Sequence, residues 1–184
     1  MLKQADKIDD STEEYTVEGN CINGRIEGTF RIKTEEGIII VEGTLKEGML
    51  EGKTMIYAST GEPLVSMNLK DGFLDGEVTM WFHPNTINSM LLKPKPGGNV
   101  KVKACYVMGR LHGIKNHYIP TGKKKARYRY DQGILLSARV YDIYGSTIPR
   151  REAWRVARKD DLADMRYYGG IIGMVNSLTR CGIE

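Results

Sequence analysis

The stretch KDGFLDGEV, residues 70–78, decides the fold of this chain because it recurs along the sequence. Gly72 and Gly76 flank Leu74 in this copy. The same pattern returns as KEGMLEGKT at 46–54 and as VMGRLHGIK at 107–115. Self-similarity of this kind is the signature of a repeat protein, in which each unit is one supersecondary element. The repeat therefore predicts the architecture of most of the chain.

The first glycine of the motif falls at a regular interval. The steps between successive copies are 24, 24, 37 and 24 residues, so the third unit carries an insertion. A second glycine follows four residues later in four of the five units, and Ser137 replaces it in the last unit. The residues that define the repeat are Gly24, Gly28, Gly48, Gly52, Gly72, Leu74, Gly76, Gly109, Gly113 and Gly133.

The residues before each motif predict β-strands. Positions seven, five and three residues before the first glycine are mostly apolar, and the residues between them are mostly polar. The third unit shows this with Val65, Met67 and Leu69. A period of two is expected of a strand with one buried face. Because turns divide each 24-residue unit into two strands, we expect about five β-hairpins that pair into one antiparallel meander, a mainly β fold.

The repeated pattern also resembles a known family. G-x-L-x-G, followed by an aromatic residue and a turn rich in glycine or asparagine, is similar to the MORN repeat in its bacterial variant. The best local match is DGFLDGEVTMWFHPN at 71–85, and the resemblance covers about residues 15–145. It implies a binding scaffold that attaches to protein partners and in some cases to membranes. It brings no catalytic residues.

The repeat divides the chain into three parts. We expect an acidic leader at 1–14, the hairpin array at 15–146, and a helical cap at 147–184. The array carries its insertion at 91–103, where Pro94 and Pro96 exclude a regular strand. This insertion is expected to be a protruding loop, or two extended strands joined by a flexible tip. Its role is expected to be that of a tolerated surface insertion or of an arm that binds a partner.

The C-terminal part is rich in helix formers. Asp160-Asp161 indicates the start of a second helix, and the glycines of YYGGIIGMV at 167–175 lower helix stability or mark a break. The expected role of this segment is to cap the open end of the sheet, with Trp154 packed against it. A dimerisation or partner-docking element is the alternative.

Charge is distributed unevenly between the two halves of the chain. Residues 1–92 hold 8 Lys/Arg and 16 Asp/Glu, and residues 93–184 hold 19 and 7. The basic half has three interpretations: a solvated face, a surface for an acidic protein, or a surface for nucleic acid or anionic lipid. The residues expected to contact a partner are Lys93, Lys95, Lys101, Lys103, Lys125, Arg127, Arg129, Arg151 and Arg155.

Catalytic and phosphate-binding motifs are not found in the sequence. It has no G-x-x-x-x-G-K-S/T, no G-x-S-x-G and no H-E-x-x-H. His117 occupies a core-facing position of the repeat, so it is expected to be a structural sheet residue rather than a ligand or a base. We therefore predict that the protein is not an enzyme and uses no metal, cofactor or small-molecule substrate.

The cysteines and the apolar runs bear on location. The three cysteines, Cys21, Cys105 and Cys181, are far apart and show no C-x-x-C spacing. We therefore expect no metal or redox use of them, and we expect the protein to be in a reducing cytoplasm. No apolar run approaches the ~18 residues of a membrane span. The predicted function is a non-enzymatic scaffold for protein–protein interaction or assembly in the cytoplasm. The alternative is a module that binds nucleic acid or an anionic membrane through the basic half.

Overall fold

The structure, a computed structural model, describes residues 2–5, 14–90, 92–93, 95 and 98–181, with the backbone alone at residues 2–5 and 14. These residues form one antiparallel sheet of twelve strands and two helices. The strands are β1 (Leu2–Ala5), β2 (Glu14–Ile22), β3 (Arg25–Lys33), β4 (Ile39–Lys46), β5 (Met49–Tyr57), β6 (Pro63–Lys70), β7 (Phe73–Trp81), β8 (Val100–Val107), β9 (Arg110–Leu111), β10 (Gly113–Tyr118), β11 (Lys124–Asp131) and β12 (Ile134–Val140). The helices are α1 (Pro84–Ser89) and α2 (Arg150–Leu178).

The strands follow one another across the sheet in chain order, and the short β9 pairs with β8. The predicted mainly β meander with a C-terminal helix is thus confirmed. Of the predicted leader, residues 2–5 form β1 beside β2, and residues 6–13 lie outside the described part of the chain.

Each hairpin turns through two residues with positive φ. In the third unit these are Asp71 at 49° and Gly72 at 77°. The other units have the same pair, at Asn23 and Gly24, Glu47 and Gly48, Met108 and Gly109, and Gln132 and Gly133. Two successive left-handed residues form a type I′ turn, whose twist matches that of the flanking strands. The first glycine of the motif recurs because each hairpin needs this turn.

Neighbouring units are also joined at their turns. The N–H of the first glycine donates to the carbonyl of the central leucine of the preceding unit. The bonds are Gly72 N to Leu50 O at 3.1 Å, Gly109 N to Leu74 O at 2.8 Å and Gly133 N to Leu111 O at 2.7 Å. The spacing of the motif therefore sets the register from one hairpin to the next.

Helix α2 covers the apolar face of the sheet. The predicted inward series is buried, with Val41, Val65 and Met67 each 0% exposed. The helix packs its own buried residues on this face, namely Ala153, Ala157, Tyr168, Ile171, Val175 and Leu178. Removal of apolar surface from water stabilises this arrangement by roughly 25 cal/mol per Å².

The path of α2 runs from the last strand to the first hairpin. Near its start, Trp154 shares a groove with Leu136 of β12. Further along, Tyr168 packs edge-to-face on Tyr106 of β8, with ring centroids 6.3 Å apart. Beyond its end, the carbonyl of Thr179 accepts a hydrogen bond from Ile26 N at 3.0 Å. The helix thus spans the sheet, whereas the sequence predicted a cap at the open end.

The helix is continuous from Arg150 to Leu178, so the expected second start at Asp160-Asp161 and the expected break at the glycines are wrong. Gly169 and Gly170 have open space around them, since a Cβ added at either would meet nothing within 4 Å. Packing of Tyr168 and Ile171 against the sheet outweighs the low helix propensity of glycine.

Cys21 and Cys181 form a disulfide across 160 residues of sequence. Nearby, Cys181 N donates to Gly24 O at 3.0 Å. The sequence predicted no redox use of the cysteines and a reducing cytoplasm, whereas the structure joins these two, because α2 returns residue 181 to the first hairpin. Cys105 is free.

The connection between β7 and β8 contains the short helix α1, followed by the residues of the predicted insertion. Strand β8 begins at Val100, so Lys101 and Lys103, at the end of the predicted insertion 91–103, lie on a strand. The buried Asn99 holds the loop in place, since its Oδ1 accepts from Lys95 N at 3.0 Å and its Nδ2 donates to Pro120 O at 2.9 Å. Residues 91, 94, 96 and 97 lie outside the description.

Candidate functional site

Four arginines surround Trp154 on the first turns of α2. Together they line an open groove of about 590 Å³, and they are Arg150, Arg151, Arg155 and Arg158. The Arg150 guanidinium carbon lies 5.6 Å from the centroid of the Trp154 ring, a cation–π contact. In the part of the chain that the structure describes, none of the four forms an ion pair.

A second groove continues from the first onto the last strand. It measures about 460 Å³ and is lined by Leu136, Ser137, Ala138, Arg139, Thr147, Ile148, Arg150 and Trp154. Arg139 lies directly opposite Arg127 of β11 in the strand register. We call the continuous region the arginine surface, defined by Arg127, Arg139, Arg150, Arg151, Trp154, Arg155 and Arg158.

The arginine surface concentrates positive charge without internal neutralisation. Like charges directly opposite on neighbouring strands, such as Arg127 and Arg139, destabilise a sheet. Guanidinium groups bind carboxylates and phosphates through paired hydrogen bonds, and they stack on aromatic rings. The arrangement is therefore suited to binding an anionic group beside an aromatic residue.

The structure brings together only some of the residues that the sequence singled out. Arg127, Arg151 and Arg155 belong to the arginine surface, and the exposed Arg129 lies on β11 opposite Ser137. The exposed Lys101, Lys93 and Lys95 lie apart from it, the first on β8 and the others on the β7–β8 connection.

Two further predicted lysines have acidic neighbours within the chain. Lys103 Nζ pairs with Glu77 at 3.2 Å, and Lys125 Nζ lies 3.8 Å from Asp160 Oδ1. Sequence analysis missed Arg139 and Trp154 as site residues, and it counted Arg150 and Arg158 only toward the positive charge of the C-terminal half. The spacing of positions 150, 154 and 158 on one helix face was the available signal.

A polar cluster lies buried between α2 and the sheet. Lys115 of β10, 1% exposed, places Nζ 2.8 Å from Asp161 Oδ1 and 2.7 Å from Asp164 Oδ2. The hydroxyl of Tyr128 donates to Asp160 Oδ2 at 2.6 Å, and that of Tyr130 donates to Asp161 Oδ2 at 2.8 Å. We define the polar cluster as Lys115, His117, Tyr128, Tyr130, Asp160, Asp161 and Asp164.

His117 completes the polar cluster. It is buried on the face of β10 that meets the helix, and its Nε2 lies 3.4 Å from Asp164 Oδ2. Sequence analysis placed His117 on the core face but missed Lys115. The signal was a charged residue two positions after the second glycine, where Phe30 and Val78 stand in other units.

The charges of the polar cluster stabilise one another. Burial alone raises the pKa of Asp164, but hydrogen bonding and charge from His117 and Lys115 outweigh burial and leave its pKa below the usual value. Burial, and then the hydrogen bonds to Asp160 and Asp161, raise the pKa of Tyr128 and Tyr130. The ion pairs and hydrogen bonds of the cluster join β10 and β11 to α2.

A shallow groove of about 830 Å³ lies on the opposite half of the sheet, over β2 to β5. Four of the five charged residues that line it, all but Lys53, have a polar partner within the described chain. Arg31 Nε lies 3.7 Å from Glu42 Oε2, and the Tyr57 hydroxyl donates to Glu42 Oε1 at 2.6 Å. Burial, followed by the contact with Glu42, raises the pKa of Tyr57 to about 12. The arginine surface, by contrast, has six arginines without an ion pair in the described chain.

Within the described residues, no group of three or more His, Cys, Asp or Glu side chains is placed to hold a metal ion. A helix long and apolar enough to cross a membrane is likewise not found in that part of the chain. Neither a scan against protein-family models nor a search among curated proteins finds a match to the chain. The resemblance to MORN repeats stays a prediction.

Proposed function

We propose that this protein is a non-enzymatic, MORN-like repeat scaffold that mediates protein–protein interaction or assembly and binds an acidic protein partner. The observation that supports the proposal most is the arginine surface, where four helix arginines around Trp154 have no carboxylate partner in the described chain. Arginine and tryptophan are the residues most enriched in the energetic centres of protein interfaces.

The fold supports a scaffold role in a second way. Helix α2 occupies the apolar face of the sheet, so partners have access to the outer face, the edges and the exposed side of α2. The arginine surface includes parts of all three, because Arg127 lies on the sheet, β12 is an edge, and Arg155 is exposed on the helix. Its groove also exposes apolar groups of Leu136 and Trp154, which suit a peptide better than a phosphate chain.

Nucleic acid or an anionic membrane is the second candidate partner. It is favoured by the row of outer-face residues Lys103, Asn116, Arg127 and Arg139, which are successive register neighbours across four strands. Backbone phosphates would be bound by such a row largely through charge.

The cellular location stays a prediction. The cytoplasm was expected because the cysteines are far apart and lack C-x-x-C spacing, whereas the Cys21–Cys181 disulfide is a feature common in oxidising compartments.

Three probes separate the candidates. These are a fluorescent peptide of alternating aspartate and leucine, a DNA duplex and phosphatidylserine vesicles, each titrated at about 50 and 200 mM salt. We expect the peptide to bind and to keep most of its affinity at the higher salt, since an apolar contact contributes. DNA and vesicles are expected to lose affinity by orders of magnitude across the same range.

Charge-reversed variants locate the binding. The double variant Arg151→Glu with Arg155→Glu is expected to lose peptide binding. The matched control is Lys46→Glu with Lys70→Glu, two exposed positions on the acidic half with the same change in net charge. Equal losses in the two variants, or tighter binding of DNA or vesicles than of peptide at about 200 mM salt, would contradict the proposal.

A further inference from the structure

Within the described part of the chain, no strand lies beside the far edge of β12, whereas the second strand of every earlier unit has one there. In the array, the second strand of each unit pairs with the first strand of the next, as β3 does with β4. Strand β12 is the second strand of the last unit. Within the described residues it pairs with β11 alone from Ile134 to Arg139. An unpaired edge offers backbone N–H and C=O groups to an incoming strand.

The chain begins a sixth unit at this edge and then leaves it. The loop after β12 repeats the hydrogen bonds of the loop at 34–38: Asp142 N–H donates to Ser146 O at 2.9 Å, and Gly145 N–H donates to Asp142 O at 3.1 Å. Ile148 N then donates to Val140 O at 3.0 Å, as a returning strand would.

Pro149 interrupts this return. It stands as the residue before α2, with φ of −54°, and the chain turns into the helix at Arg150. The place of the next strand is thereby left as the groove of about 460 Å³ between β12 and the first turn of α2. The groove is a vacant strand position of the repeat.

The repeat also indicates which chemistry suits the vacant position. Arg139 and Arg31 occupy equivalent positions in their hairpins. Arg139 precedes Val140, which lies opposite Ala126, and Arg31 precedes Ile32, which lies opposite Val17. Ala126 and Val17 are the first apolar strand positions of their units. Arg31 has Glu42 of the next strand directly opposite, at 3.7 Å between Nε and Oε2. Arg139 has no carboxylate partner in the described chain.

We propose that an extended acidic segment of a partner protein adds to β12 as a further antiparallel strand between Leu136 and Arg139. One carboxylate lies opposite Arg139, as Glu42 lies opposite Arg31, and an apolar side chain points toward Trp154. Flanking carboxylates reach Arg150 and Arg151. This inference deepens the proposed function and rests on it. Main-chain hydrogen bonds supply affinity in such strand addition, and alternate side chains supply specificity.

The chain provides its own probe, because strand β4 occupies the equivalent position beside β3. A fluorescent peptide with the sequence of Ile39–Lys46, extended by aspartates at both ends, is titrated against the protein by anisotropy at about 150 mM salt. Two further peptides carry N-methyl groups on alternate backbone nitrogens, one on the odd-numbered residues and the other on the even-numbered residues. Successive N–H groups of a strand point to opposite edges, and an added strand bonds through one edge only. Methylation in one of the two peptides therefore removes the hydrogen bonds to β12, and methylation in the other does not.

We expect the parent peptide and one methylated peptide to bind, and the other methylated peptide to bind at least about tenfold more weakly. Arg139→Glu is expected to weaken the parent peptide by a similar factor, and Lys46→Glu is the matched control. Equal affinities of the two methylated peptides overturn strand addition but leave binding of an acidic partner standing. The same holds if the aspartate–leucine probe binds and no strand peptide does.

A second copy of the chain is the competing occupant. Sedimentation of wild type and Arg139→Glu at equal concentration tests it. A concentration-dependent dimer that Arg139→Glu abolishes would assign the edge to self-association and overturn the inference. A monomer in both supports it. If neither the strand peptides nor the aspartate–leucine probe binds, this inference and the proposed function both fail.

Discussion

Lys115 Nζ lies 2.7 Å from Asp164 Oδ2, and this buried contact joins strand β10 to the middle of α2. The pair belongs to the polar cluster, in which Tyr128 donates to Asp160 and Tyr130 donates to Asp161. A helix packed on a sheet by apolar contacts alone can slide or rotate, whereas a buried ion pair is satisfied in one position only. We infer that the polar cluster sets the register of α2 on the sheet, and that this register places Trp154 beside β12.

Replacement of Lys115 by methionine should lower the stability of the protein by roughly 3–5 kcal/mol, because it leaves buried carboxylates without their cation. Urea unfolding followed by circular dichroism measures the change. Lys101→Met, at an exposed position on β8, is the control and should change the free energy of unfolding by about 0.5 kcal/mol or less. Equal midpoints for the two variants would show that Lys115 does not carry the helix contact.

Loss of the Cys21–Cys181 disulfide should also destabilise the protein. The double variant Cys21→Ser with Cys181→Ser is expected to lose roughly 2–5 kcal/mol, because a cross-link between distant residues restricts the unfolded chain. Cys105→Ser is the matched control, since Cys105 is free. Alkylation of the wild-type protein, denatured without a reducing agent, should modify Cys105 alone. Modification of all the cysteines would contradict the disulfide.

The alternation of faces along each hairpin is testable within one strand pair. Leu74 is 9% exposed and Lys70 is exposed. Leu74→Ala should cost roughly 2–5 kcal/mol, as truncation of a buried leucine does. Lys70→Ala should change the free energy of unfolding by less than about 0.5 kcal/mol. Thermal and urea unfolding measure the difference. Equal midpoints for the two variants would refute the assignment of faces.

Stability should fall in acid because of Asp164. Its pKa is lowered in the folded state, so near about pH 4, the ordinary value for aspartate, the unfolded chain binds more protons than the folded one. The contribution is therefore fully present above that pH and is lost as pH falls through the folded-state pKa. In Asp164→Asn the slope of unfolding free energy against pH below about pH 5 should be smaller than in wild type. An unchanged slope, with Asp71→Asn as the control, would contradict this role.

The repeat made the sheet predictable, because its spacing of 24 residues specifies two turns and two alternating strands in each unit. The confirmed meander depends on contacts between adjacent units, which are close in sequence. The course of α2 was not predictable in the same way. Its contacts join Cys181 to Cys21 and Asp161 to Lys115, residues far apart in the chain. The repeat pattern carries no information on which strand a helix residue distant in sequence contacts.

The candidate site was likewise predictable only where it depends on composition and not on contacts between distant residues. Positive charge in the C-terminal half indicated Arg127, Arg151 and Arg155 from composition. Arg139 and Trp154 join them only because Pro149 turns the chain into a helix beside β12. Lys103 and Lys125 were indicated by the same composition, yet each has a carboxylate neighbour within the chain. Net charge locates a basic region, and tertiary contacts decide which of its members remain free.

Hydrogen–deuterium exchange with and without the aspartate-flanked strand peptide tests the central claim most directly, because it shows where an acidic segment binds. We predict slower exchange of backbone amides in Ile134–Val140 and at the start of α2 around Trp154, with no change over β2 to β5. Protection over the groove of β2 to β5, or no protection at β12 while the peptide is bound, would contradict the assignment of the arginine surface as the binding site.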